Sequence, residues 1–512
     1  MGISLFIIGI IGWHVGMYGM FKKAGLNPIF AFVPFYNTWL IVEKTAIKKH
    51  WFWLQLIPIA GQFITIWITI IFVMHFKRFN VIHHSLVVFL PFIYFPYIGF
   101  NKEDKWFGAE AVKNYKKSTG REWIDAGVFA VVAATIIRTF VFEAYVIPTG
   151  SMERTLLIND FLFVSKVSYG PRIPITPLSF PFVHNTMPLS VTTPSYIKSV
   201  QLPYKRLPGY TDVKRNDVVV FNFPAGDTII NLPDFGSKVT YYEVLRRDFK
   251  GNRLALEAQY PIIVHPFDKT DNYIKRCVGV GGDILTMKKG VLFINNQPAF
   301  TAPEMQTDYE LSLNKAFDTE FLENELGIDI TIDEERNVRY NKEGDYQETE
   351  GAHLFCMLNL TKANYEKVKK QPNVLSIKPI LETDAVDAEM FPNDTINYKW
   401  NRDNFGPLPI PKANDVITLT PQNISLYRRL ITNYEKNTLE EANGNFIING
   451  VVTNKYTVKN NYYWMMGDNR HRSQDSRYWG FVPETHVVGK ASMVWFSWNH
   501  GPRWKRIFSF IK

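Results

Sequence analysis

Three short segments of this chain carry side chains that could together break an amide bond. Pro148-Thr149-Gly150-Ser151-Met152 presents a serine directly after an apolar run. Tyr273-Ile274-Lys275-Arg276 sets a lysine in a strand-like pattern that ends at Gly281-Gly282-Asp283. Residues 467–483 (G-D-N-R-H-R-S-Q-D-S-R-Y-W-G-F-V-P) are dense in Asp, Arg, Ser and Gly, too polar for a core strand. A serine hydroxyl is a poor nucleophile until a base takes its proton. Histidine is the usual base, and His471 lies in the third segment and His486 just after it, yet no nucleophile-elbow or chymotrypsin-like context surrounds Ser151. Lys275 offers another base. Burying an amine without a counter-ion disfavours its charged form and lowers its pKa, and a neutral amine can deprotonate serine directly. The residues alone leave two readings open at each position. Ser151 is a nucleophile or a turn residue, and Lys275 is a buried base or, like Arg276, an edge residue pointing to solvent.

The elements that must position these groups begin in the membrane. Residues 3–21, 51–76, 85–100 and 126–147 are apolar runs, and about twenty apolar residues cross a hydrocarbon core. The first has no basic leader and no small-residue cleavage site, so it reads as an uncleaved span. The third is broken by Pro91 and Pro96. Residues 28–42, aromatic and proline-broken, read as interfacial or re-entrant. Arg138 and Glu143 lie in or at the end of the fourth run, and Arg138 is the costly one there. Pro148 is expected to end that helix, and Gly150 to allow the tight path that exposes Ser151. Lysines 22, 23, 44, 48 and 49 between the first two runs, and the basic cluster 102–121 between the last two, place both loops in the cytoplasm. Everything after Ile147 is then extracytoplasmic. Four spans put the N-terminus outside; if the third run does not cross, it moves to the cytoplasm.

Composition narrows the partners. The chain has 512 residues and a net charge of +9, with much of the basic excess beside apolar runs, where anionic lipid is the natural counter-charge. No nucleic-acid-binding module accompanies it, so no nucleic-acid partner is expected. Cys277 and Cys356 are too few for a disulfide framework or a four-ligand zinc site, and read as free thiols with one bond as the alternative. No metal and no cofactor is expected.

Beyond the membrane the pattern turns to strands: residues 160–169, 217–223, 273–280, 455–466 and 487–496, with a hairpin at Lys288-Lys289-Gly290. An insertion of roughly 301–439 opens with an acidic run (Glu323, Glu325, Asp329, Asp333, Glu334, Glu335, Glu343, Asp345, Glu348, Glu350), read as a solvated accessory lobe, and 311–326 reads as a helix. The C-terminal 498–512, with Trp504, Phe508 and Phe510 among Lys505 and Arg506, is either a lipid-resting segment or a terminal helix.

At this point four segments, in order, resemble the boxes of bacterial type I signal peptidases: P-T-G-S-M-E-R-T-L at 148–156, K-R-N-D-V-V-V-F at 214–221, Y-I-K-R-C-V-G-V-G-G-D at 273–283, and 467–483. The resemblance implies a membrane-anchored Ser–Lys endopeptidase on a signal-peptidase-like β fold, which removes signal peptides from exported preproteins after small residues. It implies Ser151 as nucleophile, Lys275 as general base, Thr149 as oxyanion donor, Ser473 as the residue that orients the lysine, Asp475 and Arg477 as a supporting pair, and Met152 and Tyr273 as site lining. Asn216 stands where the second box usually has Gly, and Gly281 where the third segment commonly has Pro. Residues around Phe35-Tyr36-Asn37-Thr38 look like a multi-span module found fused to some of these enzymes.

The expected architecture is a multi-span α-helical membrane region followed by a mainly β extracytoplasmic catalytic domain with an α+β insertion. Its parts are a membrane module over 1–121, an anchor helix over 122–147, catalytic segments at 148–300 and 441–512, and an inserted lobe at 301–440. The expected location is the bacterial cytoplasmic (inner) membrane, with the catalytic domain on the periplasmic side. The expected partners are preproteins, the lipid bilayer and the protein translocation machinery. The alternative from another class is an inactive, signal-peptidase-like scaffold that binds preproteins without cutting them.

Overall fold

The structure, a computed structural model, describes residues 2–45, 47–113, 115–116, 119–188, 190, 193–224, 228–232, 235, 239–328, 331–333, 338–340, 346–349, 354–383, 385–442 and 444–512. Lys117 of the basic cluster and Asp329, Glu334, Glu335, Glu343, Asp345 and Glu350 of the acidic run lie outside them. The chain divides into two compact units, Met1–Thr139 with Ile173–Pro203, and Phe140–Arg172 with Tyr204–Lys512.

The first unit is helical in its N-terminal part, while its segment 173–203 has turns and the isolated bridges Ser179–Tyr196 and Thr186–Pro194. Its helix Gly2–Lys23 ends on Lys22 and Lys23 and packs closely on Pro91–Phe100. Glycine makes that approach possible: a Cβ on Gly16 would lie 2.3 Å from the Pro96 nitrogen, and one on Gly19 2.8 Å from Gly99. Phe21, Ile68, Phe72, Phe95 and Ile98 form the buried centre.

Three of the expected spans differ from the apolar runs that announced them. Residues 51–76 do not form one helix: His50–Leu54 and Ala60–Met74 are separated at Pro58, whose ring and missing N–H interrupt the helical ladder. The third run divides into Val81–Phe89 and Pro91–Phe100, bent by 119°. The fourth helix is Thr119–Phe140, shifted toward the N-terminus of the expected 126–147. Pro148 therefore does not end it. Phe142–Val146 instead forms a strand, because its aromatic and β-branched residues find a partner ladder in Asp160–Ser165, with Phe142 opposite Ser165. Among the described residues one unbroken helix, Thr119–Phe140, is long and apolar enough to cross a membrane; the bent pair would make a second if it counts as one element. The segment 28–42 is a short 3-10 turn, Pro28–Phe32, capped by the Asn27 side chain, followed by the helix Tyr36–Lys44.

The second unit is built on antiparallel sheets. Its main sheet uses β1 (Phe142–Val146), β2 (Asp160–Ser165), β3 (Val218–Asn222), β4 (Asn272–Val280), β5 (Tyr462–Met466), β6 (Val482–Pro483), β7 (Val487–Ser497) and β8 (Ser509–Phe510). The order across it is β1-β2-β7-β3-β4-β5-β6, with β8 paired to β7. β3 is buried along its whole length, which explains why its sequence reads as a nearly continuous apolar run rather than an alternating one. Three cores form against it, one around Val219, Phe221, Cys277 and Trp479, a second around Met152, Leu162, Val218 and Val494, and a third around Val278, Tyr462, Trp464 and Met466. The Lys289-Gly290 turn has both residues at positive φ (49° and 76°) and joins Ile284–Lys288 to Val291–Ile294, a geometry that suits the twist of a tight hairpin.

The insertion carries a six-stranded sheet that includes Gln306–Leu313 and Leu354–Thr361. The expected helix at 311–326 is not formed. Leu311 and Leu313 lie in a strand, buried on one face by pairing with residues more than forty positions away, and only Phe321–Glu325 makes a single wide helical turn. The C-terminal 498–512 is likewise no helix but a 3-10 turn, Trp504–Arg506, leading into β8. Cys277 and Cys356 are both buried, Cys277 in the core of the main sheet and Cys356 in that of the insertion.

Candidate functional site

The site grows from β4. Its register sets Val219 opposite Lys275 on one side and Met466 opposite Arg276 on the other, so both basic residues sit in mid-sheet between paired neighbours. Lys275 is 3% exposed and Arg276 2%; neither points to solvent from an edge. The chain reaches Ser151 from β1 through Ile147-Pro148-Thr149 into a 3-10 turn, Gly150–Met152. Lys275 Nζ lies 2.7 Å from Ser151 Oγ and also donates to the Ile274 carbonyl at 3.0 Å. The amine lies 5.4 Å from the Tyr273 ring centre.

Burial lowers the Lys275 amine from its ordinary range to about 8, against the opposing pull of the Asp475 and Asp468 carboxylates. Desolvation wins because those carboxylates are already committed to guanidinium partners. Asp475 accepts from Arg477 Nε at 2.9 Å and Nη2 at 2.8 Å. Burial by itself would raise the Asp475 carboxyl, but Arg477 holds it below the usual carboxylate range. Asp475 also accepts the Gly467 N–H at 3.1 Å and caps the short helix Ser476–Trp479, so it shapes the loop at two points.

That loop closes onto the serine. The Asn469 N–H donates to the Ser151 carbonyl at 3.1 Å, and Asn469 Nδ2 donates to the Gly150 carbonyl at 3.2 Å. Gly467 is required by space: a Cβ there would lie 2.2 Å from Ser473 Oγ and 2.5 Å from the Ser151 carbonyl oxygen.

The structure thus brings Ser151, Lys275, Ser473, Asp475 and Arg477 into one neighbourhood. Thr149 is exposed beside the serine turn. Ser473 is buried and helps keep the Asp475 carboxyl ionised, but its hydroxyl makes no well-formed hydrogen bond among the described residues, to Lys275 or to any other group. Tyr273 is partly buried, stacked on Phe223 at 4.9 Å and edge-on to Trp479 at 5.2 Å. Met152 does not face outward. Its side chain is 0% exposed and its Sδ accepts the Asp468 N–H at 3.4 Å, so it packs beneath the site.

The two histidines near the polar motif go elsewhere. His471 bonds Asp403 at 3.2 Å, and His486 stacks on Phe267. The two departures from the box pattern are accommodated. Asn216 adopts φ of 76°, a left-handed conformation that Asn tolerates better than most residues. The Cβ position of Gly281 lies 3.0 Å from the Pro411 carbonyl, leaving little space for a larger residue.

Sequence reasoning missed the role of Arg276. It meets Asp468 at two points, donates to the Asn216 carbonyl at 2.8 Å, and so ties β4 to the polar loop. Thr155 Oγ1 donates to the same carboxylate at 2.7 Å. The available signal was a second charge in an apolar strand followed, far along the chain, by an aspartate in a glycine-flanked turn. Only the fold pairs them.

A family model described as "Signal peptidase, peptidase S26" matches residues 120–349 and 410–498. A second, described as a family of unknown function (DUF5684), matches residues 29–109. The chain is 26% identical to Signal peptidase I of Haemophilus influenzae over 395 residues, covering 76% of this chain and 75% of that one. It is 25% identical to Signal peptidase I of Buchnera aphidicola subsp. Schizaphis graminum over 380 residues, covering 73% and 76%. A shorter match, 54% identical over 43 residues, is to Signal peptidase I of Aquifex aeolicus, covering 8% of this chain and 17% of that one.

Proposed function

Because the chain belongs to the signal peptidase family, peptidase S26, we propose that Ser151 and Lys275 are the pair through which it acts. As a member it is a serine endopeptidase, membrane-associated, that removes N-terminal signal peptides from exported preproteins. The residue assignment rests on one observation above the rest: a lysine amine 3% exposed, lowered to about 8, and 2.7 Å from a serine hydroxyl.

In this reading neutral Lys275 takes the Ser151 Oγ proton as Oγ bonds to the carbonyl carbon of the scissile amide. The carbonyl oxygen gains the negative charge, and the Ser151 N–H with the Thr149 hydroxyl stabilises it. The Lys275 ammonium then protonates the leaving amine as the C–N bond breaks. The resulting acyl ester is hydrolysed by a water that Lys275 deprotonates in turn. Ser473, Asp475 and Arg477 are positioning residues. Tyr273 lines the approach, and Met152 supports the serine turn from below.

The finer placement belongs to the same proposal. Residues 1–121 form a membrane module, 122–140 contain the anchor, 142–172, 204–300 and 441–512 form the catalytic domain, and 301–440 form the accessory lobe. The chain is multi-pass in the bacterial cytoplasmic membrane, with its catalytic domain periplasmic and with the bilayer and the translocation machinery as partners. Support comes from the apolar helix Thr119–Phe140 shortly before Ser151 and from the basic loops on its N-terminal side. Substrate is expected to bind as an added strand, with shallow pockets selecting small residues at −1 and −3.

The test is cleavage of a reporter carrying an A-x-A site by purified full-length protein and by Ser151→Ala and Lys275→Ala. Cleavage by the unaltered protein and none by either variant is the expected result. Unchanged cleavage by Lys275→Ala would remove the mechanism.

A further inference from the structure

The N-terminal unit contains a cavity of about 240 Å³ that the peptidase reaction does not use. Its polar lining has no carboxylate, lysine or arginine and consists of His14, Asn37, Thr38, Gln55, Thr65 and Thr69. Trp13, Met17, Pro34 and Phe35 supply the apolar part. In a membrane module such a polar cluster is expensive unless it has work to do, and a cavity with a few convergent polar groups is the usual form of a small-molecule site.

The hydrogen-bond inventory limits what would fit. Asn37 Nδ2 donates to the Ala31 carbonyl at 3.2 Å, and Gln55 Nε2 donates to Thr38 Oγ1 at 2.8 Å. Thr65 Oγ1 donates to Gln55 Oε1 at 3.2 Å. Each primary amide keeps a second N–H. His14 Nδ1 lies 2.7 Å from the Ala31 carbonyl, so Nδ1 carries a proton, and in that tautomer of the imidazole Nε2 is left as an acceptor. The lining therefore offers the two amide donors, with acceptors on the Thr65 and Thr69 hydroxyl oxygens as well as on the His14 ring, and has no lysine or arginine to meet a phosphate and no carboxylate to meet an amine.

Shape and surroundings narrow the choice further. At about 30 Å³ per water-sized group the cavity takes a small head group and not long chains. Phe35 on its lining is 54% exposed, and the neighbouring Phe32 and Val33 are exposed as well, so an apolar surface adjoins the opening. Phe35 also holds a left-handed φ of 63° at the entry to the helix Tyr36–Lys44, an unfavourable conformation for an aromatic residue and one that clusters at ligand sites.

We propose that this cavity binds the head of a neutral diacylglycerol-class lipid, whose two ester carbonyls accept from Asn37 and Gln55 and whose hydroxyl donates to His14. The acyl chains lie along the exposed apolar rim. The proposal rests on residues 1–121 lying in the bilayer and is independent of the Ser151–Lys275 assignment.

The test is photolabelling of the full-length protein in phosphatidylcholine nanodiscs with a trace diacylglycerol bearing a diazirine near the ester, followed by peptide mapping. Adducts are expected on residues 13–17, 34–38 and 55–69, with loss of labelling when excess diacylglycerol is added and none lost with excess phosphatidylglycerol. Asn37→Leu and Gln55→Leu should each lower labelling about fivefold, the effect of one lost hydrogen bond. Thr65→Val serves as a milder second variant with the same direction. Signal-peptide cleavage by each variant reports that the protein is folded. Labelling spread over the whole lipid-facing surface, equal competition by phosphatidylglycerol, or full labelling of folded Asn37→Leu and Gln55→Leu would overturn the proposal.

Discussion

The guanidinium of Arg276 meets both carboxylate oxygens of Asp468, at 2.8 Å through Nε and 2.7 Å through Nη2, and the two side chains are 2% and 0% exposed. This pair lies one residue along β4 from Lys275 and one residue before Asn469, which holds the Ser151 carbonyl. It therefore links the strand that carries the amine to the turn that carries the hydroxyl.

Breaking that link from one side leaves an uncompensated buried charge. Arg276→Met is expected to destabilise the protein by about 3–5 kcal/mol, and Asp468→Leu in the same background to recover most of it. Thermal unfolding of the detergent-solubilised full-length protein, followed by tryptophan fluorescence, measures both. Equal stability of the single and double variants would remove the pairing argument.

Lys275 should cost stability where it is charged. Its folded pKa of about 8 lies below the unfolded value near 10.5, so the unfolded state binds the extra proton between those limits. The penalty is full below pH 8 and gone above about 10.5. Lys275→Met is thus expected to be inactive yet more stable at pH 7, by up to about 3 kcal/mol, with the gain vanishing at high pH. Unfolding midpoints at pH 7 and pH 10.5 check the sign.

Gly467→Ala puts a methyl group against the Ser151 carbonyl and Ser473. The backbone must shift, at a cost of about 1–3 kcal/mol. The shift moves the serine turn relative to Lys275, so kcat is expected to fall more steeply than stability. A rate within a factor of two of the unaltered protein would show that the loop does not position the serine.

Thr149→Val removes a hydroxyl assigned to the transition state only. The expected loss is about 10²–10³ in kcat with KM little changed, and Thr149→Ser should restore most of the rate. A change in KM alone would assign Thr149 to substrate binding instead.

How much of this was readable beforehand depended on whether local chemistry or distant pairing decided the outcome. Ser151 and Lys275 could be singled out as candidates, but the residues alone left a turn serine and a solvent-facing lysine equally open, and only the resemblance of four ordered segments joined them as a pair. The strand pattern of 160–169, 217–223 and 273–280 was readable from β-branched runs bounded by turns. Residues 142–146 were not: their apolar character suits a membrane helix equally well, and the ladder to Asp160–Ser165 decided between them. Residues 311–326 failed for the same reason, since Leu311 gains its burial from Cys356 and Ile377 on neighbouring strands. The run 51–76 reads as one span by hydropathy, and the break between Leu54 and Ala60 comes from Pro58, a signal the reading did not use. Arg276 and Asp468, 192 positions apart, could be paired only by the fold.

The central claim is that an uncharged Lys275 activates Ser151, and the dependence of kcat/KM on pH tests it most directly. With a reporter peptide that does not titrate between pH 6 and 10, the rate should rise tenfold per pH unit and level off around a midpoint near 8, the value burial gives the amine. A midpoint near 6.5, as for a histidine base, or a limb of the same midpoint in Lys275→Met, would contradict the account.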